Sequence, residues 1–336
     1  DRAGTDTLKR PKYLLLFGDA SFDYKNRIRN NTNLVPVYES ANSLDPLSTY
    51  TSDDFFGLLD DGDDINGNGT YLLDLGIGRI PAADEKTARS IVDKIIAYHS
   101  APGLGPWRNE LTYIADDEVA NLHFQDAEII TAASAAISPV FNIDKIYLDA
   151  YKQEGGSGGS RYPEVNNAIN SKLFNGTLIW NYSGHGGFRR LAEEVVLDQE
   201  IINKLNNSNR LPLFITATCD FAPFDNPLIN SIGENLILRE KTGAIALMTT
   251  TRLVFAFSNR VMNKNYLEVA LQRKPDGSYY SLGEAVKKAK NYTYTTSSDV
   301  VNNRKFTLLG DPALTIAFPP FQVKTSTINT IPLSPI

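Results

Sequence analysis

Leu178-Ile-Trp-Asn-Tyr-Ser-Gly-His185-Gly-Gly187 and Leu211-Pro-Leu-Phe-Ile-Thr-Ala-Thr-Cys219-Asp220 share one plan: an apolar run, then a turn holding a chemically reactive residue. Runs of this length, rich in β-branched and aromatic residues and apolar without alternation, read as strands buried on both faces. The strands are expected over Thr177–Tyr182 and Leu213–Thr218. Similar runs are expected at Tyr13–Phe17, Asp74–Arg79, Leu111–Ala115, Lys145–Leu148 and Ala244–Thr249. Helical patterns fall between them, at Ala83–His99, Phe124–Ile137, Pro163–Leu173, Asp198–Leu205 and Ser231–Glu240. Strand and helix in alternation predict an α/β fold with a parallel sheet covered by helices on both faces.

The Pro/Gly-rich stretch Ala101–Pro106 breaks this series. It divides the chain into a smaller α/β part, 1–105, and a larger catalytic part, 106–318. Gly155–Ser160 is expected as a flexible loop. The Thr/Ser/Pro-rich segment 319–336 reads as a linker toward a further domain, and the Asp1-Arg2-Ala3-Gly4 start as a cut within a longer exported protein. The 336 residues carry a net charge of −6 with no basic stripe, which argues against a nucleic-acid partner. No apolar run is long enough to span a bilayer. One cysteine excludes an internal disulfide.

In an open parallel sheet, ligands gather beyond the carboxyl ends of the strands. The residues following the strands are Asp116-Asp117, Ser183-Gly-His185-Gly-Gly187, Cys219-Asp220 and Thr250-Thr251-Arg252. A thiolate is a strong nucleophile, and a neighbouring imidazole can take the thiol proton and deliver it to a leaving amine. This pairing makes Cys219 the candidate nucleophile and His185 the candidate base. Gly186 N–H and Cys219 N–H are candidate oxyanion donors, and Asp117 is the candidate acid behind the imidazole. The pattern leaves other readings open: His185 in a Gly-rich turn also suits a phosphate or metal contact, and a lone Cys is often a small buried hydrophobe. Asp64-Ile-Asn66-Gly-Asn68-Gly69 resembles the opening of a calcium loop, with Asp64, Asn66 and Asn68 as ligands. The glutamate that would close such a loop is absent, since position 75 is Leu; an Asx-rich turn is the alternative. Asp60, Asp61 and Asp63 stand nearby, and no cofactor is expected to be required for the chemistry.

A hydrophobic strand ending in His-Gly, followed by one ending in Cys, resembles the block pattern of the caspase–legumain–gingipain clan. The stretches YLLLFGDASFD, TSDDFFGLLD, LGIGRIPA and FTLLGDPAL are similar to the gingipain family, peptidase family C25. Within it, TATCDFAPFDNP, SIGENLIL and GAIALMTTTRLV resemble the PorU-type sortases of the type IX secretion system. The resemblance implies a caspase-like, gingipain-like fold in two subdomains, followed by an immunoglobulin-like domain. It implies a thiol protease at the cell surface, associated with the outer membrane. Such an enzyme would remove C-terminal signal domains from secreted cargo. It would then pass the cargo, through a thioester, to anionic lipopolysaccharide, alongside other outer-membrane components of that system. The alternatives are a gingipain-type endopeptidase cutting after a basic residue, and a catalytically silent cargo-docking module.

The same resemblance carries the nucleophile to Cys219, the base to His185 and the assisting carboxylate to Asp117 in YIADDE. It places a substrate pocket at His123, Thr250, Arg252 and Phe255. His123 falls where arginine-specific gingipains carry an Asp, so a preference for cationic side chains is not expected.

Overall fold

The computed structural model describes residues 9–319, apart from 68, 70, 119, 158 and 298, and the backbone of 327–328 and 331–332. The expected linker 319–336 lies mostly outside the described residues. Eight strands form one sheet: β1 Tyr13–Phe17, β2 Gly76–Ile80, β3 Glu110–Ala115, β4 Asn142–Tyr147, β5 Ile179–Ser183, β6 Leu213–Ala217, β7 Ala246–Thr250 and β8 Phe306–Leu309. Their spatial order is β1-β2-β8-β7-β6-β5-β3-β4. Strands β3 to β7 run one way. β8 is antiparallel to β7 and parallel to β2, and β2 is parallel to β1. The expected parallel order therefore holds within each group and reverses at β7/β8. There the chain enters β8 directly from a short helix, without a crossover. The break at 101–106 separates β2 from β3 in sequence, and strands from both sides share this sheet.

Every residue of β5, β6 and β7 is buried, as continuous apolar runs require. Neighbouring residues supply opposite faces: Ile179, Leu213 and Ile215 join one core, Trp180 and Phe214 the other. Helices α2 (Leu122–Ile137), α6 (Ala256–Ala270) and α7 (Leu282–Thr296) pack on the first face. Helices α3 (Pro163–Asn175), α4 (Gln199–Asn203) and α5 (Ile232–Leu238) cover the second. Helix α1 (Glu85–Ala97) starts at Asp84, whose side chain accepts from Thr87 N–H at 2.8 Å. Capping boxes Ser231/Glu234 and Ser281/Glu284 start α5 and α7. The eighth helix, α8 (Val300–Lys305), leads into β8.

Two polar devices fix the core register. Asn181 of β5 and Asn263 of α6 exchange amide hydrogen bonds of 2.8 and 3.0 Å while buried, which locks α6 onto the strand that delivers His185. Asp53 and Asp54 are buried: Asp53 pairs with Arg79, and Asp54 with Lys290 at 2.6 Å. Gly155–Ser160, expected as a loop, belongs to a two-stranded hairpin, Glu154–Gly156 against Gly159–Arg161. No helix among the described residues is long and apolar enough to cross a membrane.

Candidate active site

Strands β3, β5 and β6 end level, with Ala115 opposite Ser183 and Ser183 opposite Ala217. Whatever follows these three strands emerges at one sheet edge. Asp116 N–H donates to Ser183 O at 3.1 Å, and Asp116 Oδ2 accepts from His185 N–H at 2.9 Å. Tyr182 O–H donates to His185 O at 2.6 Å, so the His185 backbone is held from both sides. Burial pushes the Asp116 carboxyl up to about 7. Gly184 has no room for a side chain: a Cβ there would lie 2.4 Å from Asp116 Cβ and 2.6 Å from Tyr182 Oη.

The His block meets the Cys block through Gly186. A Cβ on Gly186 would come within 2.8 Å of Thr218 Oγ1, and Thr218 directly precedes Cys219. Around this crossing, Gly187 N–H donates to Arg190 O and Ala192 N–H to His185 O. The N–H groups of Gly186 and Cys219 make no hydrogen bond among the described residues, so both remain free as donors. A cleft of about 290 Å3 opens between His185–Arg190, Ala192, Glu193 and Asp220. A second cavity, about 310 Å3, lies against Lys94, Tyr98 and Leu211, at the start of β6 and away from these groups.

The His185 ring is half exposed, with Nε2 3.6 Å from Glu118 Oε2. Its edge meets the His123 ring, centroids 5.1 Å apart and planes at 89°. Cys219 is half-buried, and its S–H points to Val254 O at 3.7 Å. No hydrogen bond joins it to His185 among the described residues. Burial pushes the thiol above its ordinary value, and it lies turned toward Val254.

The family model of peptidase family C25 matches residues 2–317. The chain belongs to peptidase family C25. Searched against curated proteins, this C25 chain finds no match. Among solved structures it is similar to the Arg-specific cysteine proteinase gingipain R (RgpB). The identity is 17% and the TM-score 0.71, covering 94% of the chain and 66% of gingipain R. It is similar as well to the complex of the Porphyromonas gingivalis RgpB pro- and mature domains. There the identity is 18% and the TM-score 0.70, covering 94% of the chain and 67% of that one. Dimeric latent PorU from Porphyromonas gingivalis matches with a TM-score of 0.41 at 18% identity, over 95% of the chain and 24% of PorU, too weak to carry an argument. The caspase-like gingipain fold is thus established for this C25 chain, a mixed sheet flanked by helices. The chain spans about two thirds of the gingipain chains it resembles.

Several residues carried over from sequence sit differently in this C25 chain. Asp117 does not face the imidazole: its Oδ2 accepts from Tyr162 O–H at 2.6 Å, and the carboxylate nearest the His185 ring is Glu118, one place further on. Sequence offered three successive carboxylates. Past them the backbone is left-handed at Ala120 and Asn121, outside any strand period. Thr250 is fully buried and donates to Thr218 O at 2.5 Å, so it supports the Cys loop from beneath. Arg252 is clamped by Asp225 at 2.8 and 2.5 Å with Glu39 at 3.5 Å, and its charge is spent on them. Phe255 is 51% exposed beside Val254 and remains available as an aromatic wall. Asp64 Oδ1 accepts from Asn66 N–H and closes an Asx turn, while Asn66 Oδ1 accepts from Tyr38 O–H. Asn68 lies outside the described residues. The carboxylates that do gather there are Asp60, Asp63 and Asp74.

His123, assigned by resemblance to the pocket, is 5% exposed in the first turn of α2 and packs on His185. Burial, then the adjacent His185, push the His123 imidazole down to about 4, and the positive end of α2 favours the same neutral form. Its ordinary value is about 6.5, so between the two the unfolded chain binds a proton that the folded chain does not. This term lowers stability as pH falls from about 6.5 toward about 4. His123→Asn removes it while other groups titrate alike in both proteins. The urea midpoint of the wild type is expected to drop more between pH 7 and pH 4.5 than that of H123N. Parallel pH profiles would place the burden on other groups.

Proposed function

We propose that this chain is the catalytic part of a cysteine peptidase that works through a thioester at Cys219. In the whole protein it would serve as a cell-surface sortase for cargo of the type IX secretion system. The observation that supports the peptidase reading is the meeting of the two blocks at level strand ends. Gly186 lies against Thr218, with the Gly186 and Cys219 N–H groups uncommitted.

In this reading a substrate draws the Cys219 thiol away from Val254. His185 takes its proton as Sγ attacks the scissile carbonyl, and the carbonyl oxygen gains negative charge where the two free N–H groups can receive it. His185 then returns the proton to the departing amine, leaving an acyl thioester. Glu118 steadies the imidazolium formed in between, and Asp116 fixes the loop that carries it. A second nucleophile attacks the thioester with the reverse proton path and frees Sγ. Water gives a cut chain; an amine gives a new amide.

The sortase part rests on the likeness of TATCDFAPFDNP, SIGENLIL and GAIALMTTTRLV to that branch. An acceptor site must position the amine ahead of water. The open space beside Gly187, with Arg189 exposed at its rim, suits an amine carried on an anionic surface such as lipopolysaccharide.

The test is mass spectrometry of the protein incubated with a cargo signal domain and rising concentrations of a glycine-like amine. The expected result is a transient acyl adduct on Cys219 and an amide product that grows at the expense of hydrolysis. Hydrolysis alone, with native acceptor present, would leave an ordinary endopeptidase. Binding without cleavage would leave a docking module.

A further inference from the structure

Beside the His185 loop, three carboxylates converge. One oxygen each of Asp116, Asp117 and Glu194 lies within 4.8 Å of the others. Asp116 is fully buried and Glu194 is 5% exposed. Their polar neighbours are neutral: Asp116 accepts from the His185 and Asp117 N–H groups, Asp117 from Tyr162 O–H at 2.6 Å, and Glu194 Oε1 from Gln153 Nε2 at 3.0 Å. Among the described residues no Lys or Arg forms an ion pair with any of the three. Two buried oxygens, Asp117 Oδ1 and Glu194 Oε2, have no hydrogen-bond partner among the described residues.

Buried carboxylates without a counter-charge are costly, and a buried acceptor with no donor carries its full desolvation cost. The remedies are protons or a cation. Each carboxylate accepts a hydrogen bond, and the two orphan oxygens belong to the two residues that complete the triangle with Asp116. The set contains only oxygen, with no imidazole or thiolate, so it suits a hard divalent cation. Calcium tolerates flexible coordination by carboxylates, whereas magnesium demands a near-ideal octahedron.

We propose that Asp116, Asp117 and Glu194 bind a calcium ion that ties the end of β3 to the His185 loop and to the 192–195 turn. The calcium position considered from sequence, around Asp64, is a different part of the molecule. The ion takes no part in the peptide chemistry. It would fix Asp116, and through the Asp116–His185 N–H bond the backbone that carries the base.

The experiment uses the whole chain in a Cys219→Ala background, so that the outcome is independent of the peptidase reading. Protein stripped with chelator is dialysed against calcium and bound metal is counted. Terbium is then titrated, with emission sensitised through Tyr162. Expected are one calcium equivalent lost in E194Q and again in D117N, none lost at this site in D74N, and terbium emission cut severalfold in Y162F with calcium still bound. Melting curves in chelator check that the variants are folded; a fall in the thermal shift produced by calcium should accompany each lost equivalent. Equal calcium equivalents in the parent, E194Q and D117N would overturn the proposal. So would a parent that takes up no calcium, in which case protons neutralise the cluster.

Discussion

Cys219→Ala is expected to lower the rate of cargo processing by on the order of 10^3-fold or more, because removing the nucleophile removes the covalent route altogether. The fold should not notice. Cys219 lies just past β6 in a half-buried position, and its Sγ makes one weak contact, to Val254 O. The change in melting temperature is expected to stay within about 2 °C, as for a truncation worth less than about 1 kcal/mol in a domain of this size. Processing is followed by gel shift of the cargo, and the fold by circular dichroism and thermal melting. A C219A protein that processes cargo at the parent rate would remove the nucleophile from this site. A C219A protein that fails to fold would mean the residue is structural after all.

The largest stability effect is expected at Arg79. This side chain is fully buried in β2. Nε and one terminal nitrogen grip Asp53 at 2.8 and 2.7 Å. The terminal nitrogens also donate to the carbonyls of Gly18, Val35 and Pro36, and the guanidinium stacks over the Phe224 ring. Arg79→Ala would strand the Asp53 carboxylate, itself 5% exposed, and leave three carbonyls without donors. Breaking a buried pair in this way costs about 3–5 kcal/mol. Arg79→Lys should recover little, since one ammonium cannot reproduce the two-point grip. Urea unfolding measures both, and a loss under about 1 kcal/mol in R79A would mean that water reaches the pair and solvates it.

The strands around the chemistry were legible because burial on two faces leaves a continuous apolar run, and LIWNY and LFITA have little other reading. From these runs and from strand-end logic alone, His185 and Cys219 fall at one edge, as the register Ser183 to Ala217 places them. The start of α5 was legible too, since Ser231 and Glu234 form a local capping pair. What escaped reading was decided across long stretches of chain. Asp53 and Asp54 look like a solvated acidic run until Arg79 and Lys290 are brought to them. Arg252 looks like a free cation beside the site until Asp225 folds back onto it. β8 is four residues long, too short for any period, and owes its strand form to β7 and β2 on either side. The choice of Glu118 over Asp117 falls among three adjacent carboxylates past the strand end, where no side-chain period applies.

The placing of β8 has a consequence for how the chain must fold. It is the last strand of the sheet in sequence yet lies between β2 and β7, where it is the strand that joins the β1–β2 pair to the rest of the sheet. Strands β3 to β7 can assemble among themselves as soon as residue 250 is available, from neighbours closely spaced along the chain. β1 and β2 cannot join them. A two-stranded ribbon is marginal by itself, and its partner arrives only with Leu309, which pairs with Arg79. Closing a loop of that span is slow, because its entropy must be lost before any contact compensates for it. The amino-terminal strands are therefore the last to settle. A chain cut short before Phe306 would leave a catalytic half that is formed but unsealed, with the edge of β7 open to any extended segment that reaches it.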